Sequence, residues 1–154
     1  SFNINIETNF GIENEGKFDF SIRPRLGYNH SRSSFSSVVN NNYWTYGGRV
    51  DVEVTLPWKM ELTTNLNADL RQRIQAFASN VNLVVWNAGI SKKIFKKDAG
   101  KIGLYANDIL NDNKGFTRTI NSTFITDDRY EKISRYFLVK FEWSFNKAPG
   151  GETK

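Results

Sequence analysis

The chain of 154 residues has no cysteine, one histidine, one methionine and three prolines. Without cysteine there is no disulfide framework, no thiolate nucleophile and no cysteine-ligated zinc, and a lone His30 cannot build a multi-histidine metal centre. Long apolar runs are also missing. None is longer than Leu83-Val84-Val85-Trp86, against roughly 20 residues for a membrane-crossing helix, so no helix crosses a membrane here. The start, Ser1-Phe2-Asn3-Ile4, has no basic stretch leading into an apolar one and is no signal peptide; the chain reads as processed or as cut from something longer. A glycine-rich phosphate loop is lacking. Charge excess is small: 21 Lys+Arg against 16 Asp+Glu leave +5, and bases alternate with acids instead of gathering in a patch, which argues against a nucleic-acid partner. What remains is a polar chain the length of one small domain, with 14% aromatic residues and no stretch that looks like a core.

The apolar residues are there, but at every second position. Phe2, Ile4, Ile6, Thr8, Phe10 and Ile12 alternate with Asn3, Asn5, Glu7, Asn9 and Gly11. Phe18, Phe20, Ile22, Pro24, Leu26 and Tyr28 alternate with Lys17, Asp19, Ser21, Arg23, Arg25 and Gly27. Val50, Val52, Val54 and Leu56 interleave with Arg49, Asp51, Glu53 and Thr55; Met60, Leu62, Thr64, Leu66, Ala68 and Leu70 interleave with Glu61, Thr63, Asn65, Asn67, Asp69 and Arg71, a pattern that extends toward Ile74 and Ala76. A looser alternation runs from Asn82 to Ile94, another through Ile102, Leu104 and Ala106, and the last through Phe137, Val139, Phe141, Trp143 and Phe145. A period of two places each set on one face of a strand. The pattern predicts an all-β antiparallel meander of seven crossings, 2–13, 17–29, 43–57, 60–77, 81–95, 101–111 and 135–145, in a region 1–145 followed by a polar tail, 146–154.

Alternation alone fits a soluble β-barrel that binds an apolar ligand inside as well as a membrane barrel that faces lipid. Two features favour the membrane. Strands of about 11 to 13 residues, tilted near 40°, cover the roughly 25 Å apolar band of a bilayer, whereas soluble strands usually stop near 5 or 6. The apolar face also ends in aromatics: Tyr28, Tyr43, Trp44 and Tyr46 near the long connections, and Trp58, Phe95, Trp143 and Phe145 near the short ones, the arrangement of two interfacial girdles. Connections alternate as well, with short turns at 14–16, 57–59 and 96–100, long ones at 30–42 and 111–134, and an intermediate one at 77–81. Transmembrane barrels put short turns in the periplasm and long loops outside.

Three segments resemble a known family: Trp86-Asn87-Ala88-Gly89-Ile90-Ser91-Lys92-Lys93, then Asn107-Asp108-Ile109-Leu110-Asn111-Asp112-Asn113-Lys114-Gly115, and Arg135-Tyr136-Phe137-Leu138-Val139-Lys140-Phe141-Glu142-Trp143-Ser144-Phe145. Over roughly residues 82 to 145 they resemble the end of the outer-membrane β-barrel family of Bacteroidetes, which is related to TonB-dependent receptors. In such receptors an Asn-hydrophobe-hydrophobe-Asn element closes the next-to-last strand, and alternating aromatics make the last. The resemblance implies strands of a larger barrel with an N-terminal plug, passing nutrients across the outer membrane with energy relayed by TonB. It also implies as partners the lipid and lipopolysaccharide of a Gram-negative outer membrane, the barrel-assembly machinery, and the missing strands and plug of the same protein. No cofactor is expected. An odd number of crossings leads the same way: bacterial single-chain barrels have even counts, so the C-terminal portion of a larger barrel is favoured over a complete eight-stranded adhesin or enzyme. An eighth crossing at 116–124 would reverse every upstream strand, so that stretch is read as a β-extension of the last extracellular loop.

The face opposite the apolar one holds the candidate functional side chains. Arg23, Arg25, Arg49, Asp51, Glu53, Asp69, Arg71, Arg73, Lys140 and Glu142 would face the lumen, where they contact a plug or solute or simply pair across strands. Asp51 and Glu53 stand two apart as paired carboxylates do, but with no base or nucleophile in view, and His30 beside a serine-rich loop is a weak hint of a Ser/His/Asp arrangement. No enzymatic activity is expected. Lys92, Lys93, Lys96, Lys97 and Lys101 cluster about one short turn and read as a solvated rim flanking the membrane. Asn29-His30-Ser31 and Asn121-Ser122-Thr123 match the glycosylation acceptor pattern, which a bacterial outer membrane leaves unused.

Overall fold

The computed structural model describes residues 2–14, 16–32, 41–73, 82–113, 115–120 and 125–144. Ten strands follow in order: β1 (Phe2–Glu7), β2 (Phe10–Asn14), β3 (Phe18–Ser31), β4 (Asn41–Leu56), β5 (Met60–Arg71), β6 (Leu83–Ile94), β7 (Gly100–Asn107), β8 (Phe116–Ile120), β9 (Ile125–Arg129) and β10 (Tyr136–Trp143). All but β8 and β9 form one antiparallel sheet in the order β1-β3-β4-β5-β6-β7-β10, with β2 also on β3. β8 and β9 make a hairpin of their own. The main sheet is therefore a seven-path meander, and 116–120 is an arm of the hairpin, not an eighth crossing. The expected continuation of β5 through Ile74 and Ala76, the residue Phe145 and the tail 146–154 lie outside the described residues.

The first crossing is broken into β1 and β2 without any slip. Phe2 opposes His30 and Phe10 opposes Ile22, which is a single register. The gap faces Pro24, whose nitrogen carries no hydrogen, so the ladder loses a donor there. Pro24 still accepts through its carbonyl, from the Thr8 N–H at 3.3 Å. At the other end, the turn Pro57–Lys59 joins β4 to β5 with Trp58 (φ 61°) and Lys59 (φ 60°) both left-handed. Such turns match the right-handed twist of the strands they connect.

The register aligns like with like. Across the sheet Phe18, Val54, Leu62, Ile90, Leu104 and Val139 stand directly opposite one another. On the other face Ser21, Asp51, Asn65 and Asn87 do the same. Among the described residues no second sheet packs on the apolar face, and over the polar face only the β8–β9 hairpin leans. Among the described residues Tyr43 is the one buried hydrophobic side chain, while Phe137 is 77%, Val139 66% and Leu104 59% exposed. A sheet that buries almost no apolar area against itself lacks the hydrophobic term that stabilises a water-soluble domain. β3 to β6 run 14, 16, 12 and 12 residues, long enough at roughly 3.3 Å per residue to cross a bilayer when tilted.

One glycine pair has a visible role. A Cβ at Gly89 or at Gly103 would collide with the Tyr105 ring, which lies flat across both positions. The ring covers backbone that has no side chain of its own, packing β6 against β7 on the polar face.

After β7 the chain is knotted by short polar side chains. Asp108, only 4% exposed, accepts the N–H groups of Asp112 and Asn113 at 3.1 Å each, and its own N–H donates to Asn87 Oδ1 at 2.9 Å. The Asp112 carboxylate accepts the Val84 N–H at 2.9 Å, and Asn111 Oδ1 accepts the Arg135 N–H at 3.3 Å. Asp108 (φ 49°) and Asn111 (φ 56°) are left-handed, the conformation that Asp and Asn tolerate best after glycine. The knot fastens the start of the long connection to its end.

Candidate functional site

The polar face is built around Asp51. Arg23 and Arg49 stand directly opposite each other on β3 and β4, a juxtaposition of like charges that would be unfavourable alone. One carboxylate serves both. Asp51 accepts Arg23 Nη2 at 2.7 Å, Arg49 Nε at 2.9 Å and Nη2 at 2.8 Å, and Asn65 Nδ2 at 2.6 Å. Asn87 Nδ2 extends the chain to Asn65 Oδ1 at 3.5 Å. The network thus crosses four strands, β3 to β6. Toward the long-connection end, Asp69 accepts Arg25 Nη2 at 2.6 Å and Asn67 Nδ2 at 3.0 Å. Toward the short turns, Lys101 Nζ lies 3.0 Å from Glu61, and Lys140 pairs with Glu142 along β10.

Other expected residues take different positions. Glu53 does not join Asp51; it stands in line with Asp19 and Glu13, acid opposite acid. Arg71 places its guanidinium 4.9 Å from the centre of the Tyr43 ring, within cation–π range. Tyr43 is thereby corrected: it lies on the polar face, opposite Asn29, and not among the outward aromatics. The reason is parity, since Trp44 and Tyr46 point the other way and their odd neighbour cannot. Arg73 is exposed beyond the end of β5. His30 stacks on Phe2 at 5.0 Å between centroids, on the apolar side. Asn65, Asn87 and Tyr105 were not singled out in the sequence, although all three occupy odd positions of alternating segments.

The aromatics gather at the two ends of the apolar face. Tyr28 lies 4.9 Å from Trp44 and 6.0 Å from Phe2 at one end; Phe95 lies 5.7 Å from Trp143, with Phe141 alongside, at the other. Trp58, at the tip of its turn, is 79% exposed.

The β8–β9 hairpin leans over the polar face. Phe116 and Arg118 share a concavity of about 350 Å³ with Arg25, Asp69 and Arg71. A second concavity, about 310 Å³, lies over the Asp51 network and reaches Tyr105. Within the hairpin Arg118 grips Asp127, directly opposite, through Nε at 2.5 Å and Nη2 at 2.6 Å, and Phe116 lies under the guanidinium groups of Arg118 and Arg129. This hydrogen-bonded guanidinium holds the Asp127 carboxyl below its ordinary value of 3.8 and raises Arg118 in turn. A depressed carboxylate stabilises the hairpin fully above its unfolded pKa, and that contribution disappears as pH falls through the lower folded value. Amide protection in β8 and β9, measured against the unstructured-peptide exchange rate at each pH, is accordingly expected to be constant above about pH 4 and to fall below it. Asp127→Asn should abolish the pH dependence; an unchanged profile in that variant would assign it elsewhere.

A single layer, apolar on one side and charge-paired on the other, is the wall of a membrane barrel. The model of the outer membrane protein beta-barrel family matches residues 1–143. The chain belongs to that family. No curated protein and no solved structure matches it. As a member of the outer membrane protein beta-barrel family it resides in the outer membrane, and its alternating residues form barrel wall. The family model covers the ten strands to the last residue of β10, and so reaches well before the 82–145 stretch that carries the resemblance.

Proposed function

We propose that this wall belongs to an outer-membrane transporter of the TonB-dependent-receptor kind and does no chemistry of its own. The observation that carries the reading is the paired-charge network across β3 to β6, which gives the sheet a wettable inner surface. Arg23, Arg25, Arg49, Asp51, Asp69 and Arg71 then line the lumen and meet the plug or solute, while Tyr28, Trp44, Trp58 and Trp143 sit at the headgroup levels. β1 with β2, and β10, are sheet edges in the described residues; further strands of the same barrel pair with them, since an unpaired edge is not tolerated in lipid. Lipid, lipopolysaccharide on the long-loop side and the barrel-assembly machinery are the remaining partners.

The test reconstitutes the intact protein in bilayers. A nitroxide at Val52 should be relaxed by lipid-dissolved oxygen and one at Lys140 by a water-soluble nickel chelate. In planar bilayers a plugged transporter should be closed until urea loosens its plug. Conductance at rest would replace the plugged transporter with an open channel, and water access at Val52 would remove the wall itself.

A further inference from the structure

The short-turn end of the apolar face is strongly and unevenly charged. Two turns meet there, Pro57–Lys59 and Lys96–Asp98, tied by the Lys59–Asp98 pair at 2.6 Å. The acids nearby are engaged: Asp98 by Lys59, Glu61 by Lys101, Glu142 by Lys140. Lys92, Lys93, Lys96 and Lys97 form no ion pair among the described residues. By parity Lys93 turns to the polar face, opposite Lys101. Lys92 stands on the apolar face, between Met60 and Ile102.

The surface next to Lys92 is not flat. A trough of about 270 Å³, walled by Met60, Lys92, Ile102 and Val139, adjoins another of about 460 Å³ walled by Leu62, Ala88, Ala106 and Phe137. The two share Ile90, Leu104 and Val139, so they form one furrow along β6 and β7. Its depth comes from Ala88 and Ala106, small residues directly opposite each other. From Lys92 to Ala88 the furrow runs roughly 13 Å along the strand. An amphiphile with an anionic head and an alkyl chain fits this combination, and the exposed rings of Phe95 and Trp143 flank the headgroup level.

We propose that Lys92, Lys96 and Lys97 bind the phosphate of an anionic phospholipid whose acyl chain lies in the Ile102–Leu104–Ala106 furrow. The inference rests on the barrel-wall reading, which puts the short turns in the periplasm. That places the site in the inner leaflet, where phospholipid and not lipopolysaccharide is found.

Native mass spectrometry of the intact, delipidated protein tests it with phosphatidylglycerol and phosphatidylcholine of equal chain length. Phosphatidylglycerol should be retained more tightly, and Lys92→Ala/Lys96→Ala/Lys97→Ala should weaken it about a hundredfold, at about fivefold per lysine, leaving phosphatidylcholine unchanged. Arg129→Ala/Lys132→Ala/Arg135→Ala removes equal charge from the other end and should have no effect. Ala106→Phe should weaken long-chain phosphatidylglycerol but not the dihexanoyl form. Equal retention of the two lipids, equal loss in both triple variants, or tighter binding of a lipid A phosphate at these lysines overturns the site. If the triple variant does not insert, Lys92→Gln alone should still show the fivefold loss. Failure of the wild-type protein to insert into any bilayer strikes the barrel reading instead.

Discussion

Val52→Arg is expected to destabilise the inserted barrel by about 2–4 kcal/mol, the cost of a basic side chain on the lipid face near the bilayer midplane. Val52 lies about midway along the chain between Trp44 and Trp58, the aromatics at opposite ends of its strand. Its ladder partners Phe20 and Thr64 offer no charge to pair with. Thr63→Arg, one position over on the facing strand, introduces the same group on the polar face, opposite Glu53. There the guanidinium meets water and an acid, and a change within about 0.5 kcal/mol is expected. Urea titration of the intact protein in vesicles, followed by tryptophan fluorescence, measures both. Equal costs for the two variants would mean that the faces are not lipid and water.

The second large effect belongs to Asp51→Asn. Its side chain is 30% exposed, between a surface pair, which contributes little, and a buried one, whose disruption is severe. The variant keeps the shape but removes the one acid that, among the described residues, pairs with both Arg23 and Arg49, which face each other across the ladder. Losing charge-assisted bonds to both, and leaving two cations in register, should cost about 2 kcal/mol. Arg49→Gln added to Asp51→Asn should recover part of that loss by removing one of the cations. Asp69→Asn, whose side chain is 52% exposed and, among the described residues, forms an ion pair with Arg25 and no second cation, should cost less. The same urea titration ranks the three, and an Asp51→Asn protein as stable as wild type would show that the network is decorative.

Much of this arrangement was legible in the sequence because a strand's two faces are encoded one residue apart. Phe18-x-Phe20-x-Ile22 and Val50-x-Val52-x-Val54 announce both the strand and its apolar side without reference to any other segment. What was not legible depends on register. That Asp51 answers Arg23 and Arg49 while Glu53 lines up with Asp19 follows from which residue of β3 meets which residue of β4, and the pattern is nearly unchanged by a shift of two. Tyr43 differs for another reason: aromatic content near a strand end suggests a girdle, although the alternation with Trp44 already puts Tyr43 on the opposite side. The resting of the Tyr105 ring on Gly89 and Gly103 needed three positions to coincide. Of the β8–β9 hairpin only the first arm was legible, within the β-extension read at 116–124; its partner β9 and its lean toward Arg25 and Arg71 come from the fold of the connection and not from its composition.

The knot at Asp108 separates two problems that a barrel usually has to solve together. Because Asn111 holds the Arg135 amide and Asp108 gathers the backbone just after β7, the chain is returned to the start of β10 by contacts at the foot of the connection. The alignment of Tyr136 with Asn107, and so of every later pair in that ladder, does not depend on how many residues lie above. Added length costs only the slowly growing entropy of a larger loop. The segment outside the membrane is thus free to lengthen, shorten and change what it touches, while the last strand stays in step with its neighbour.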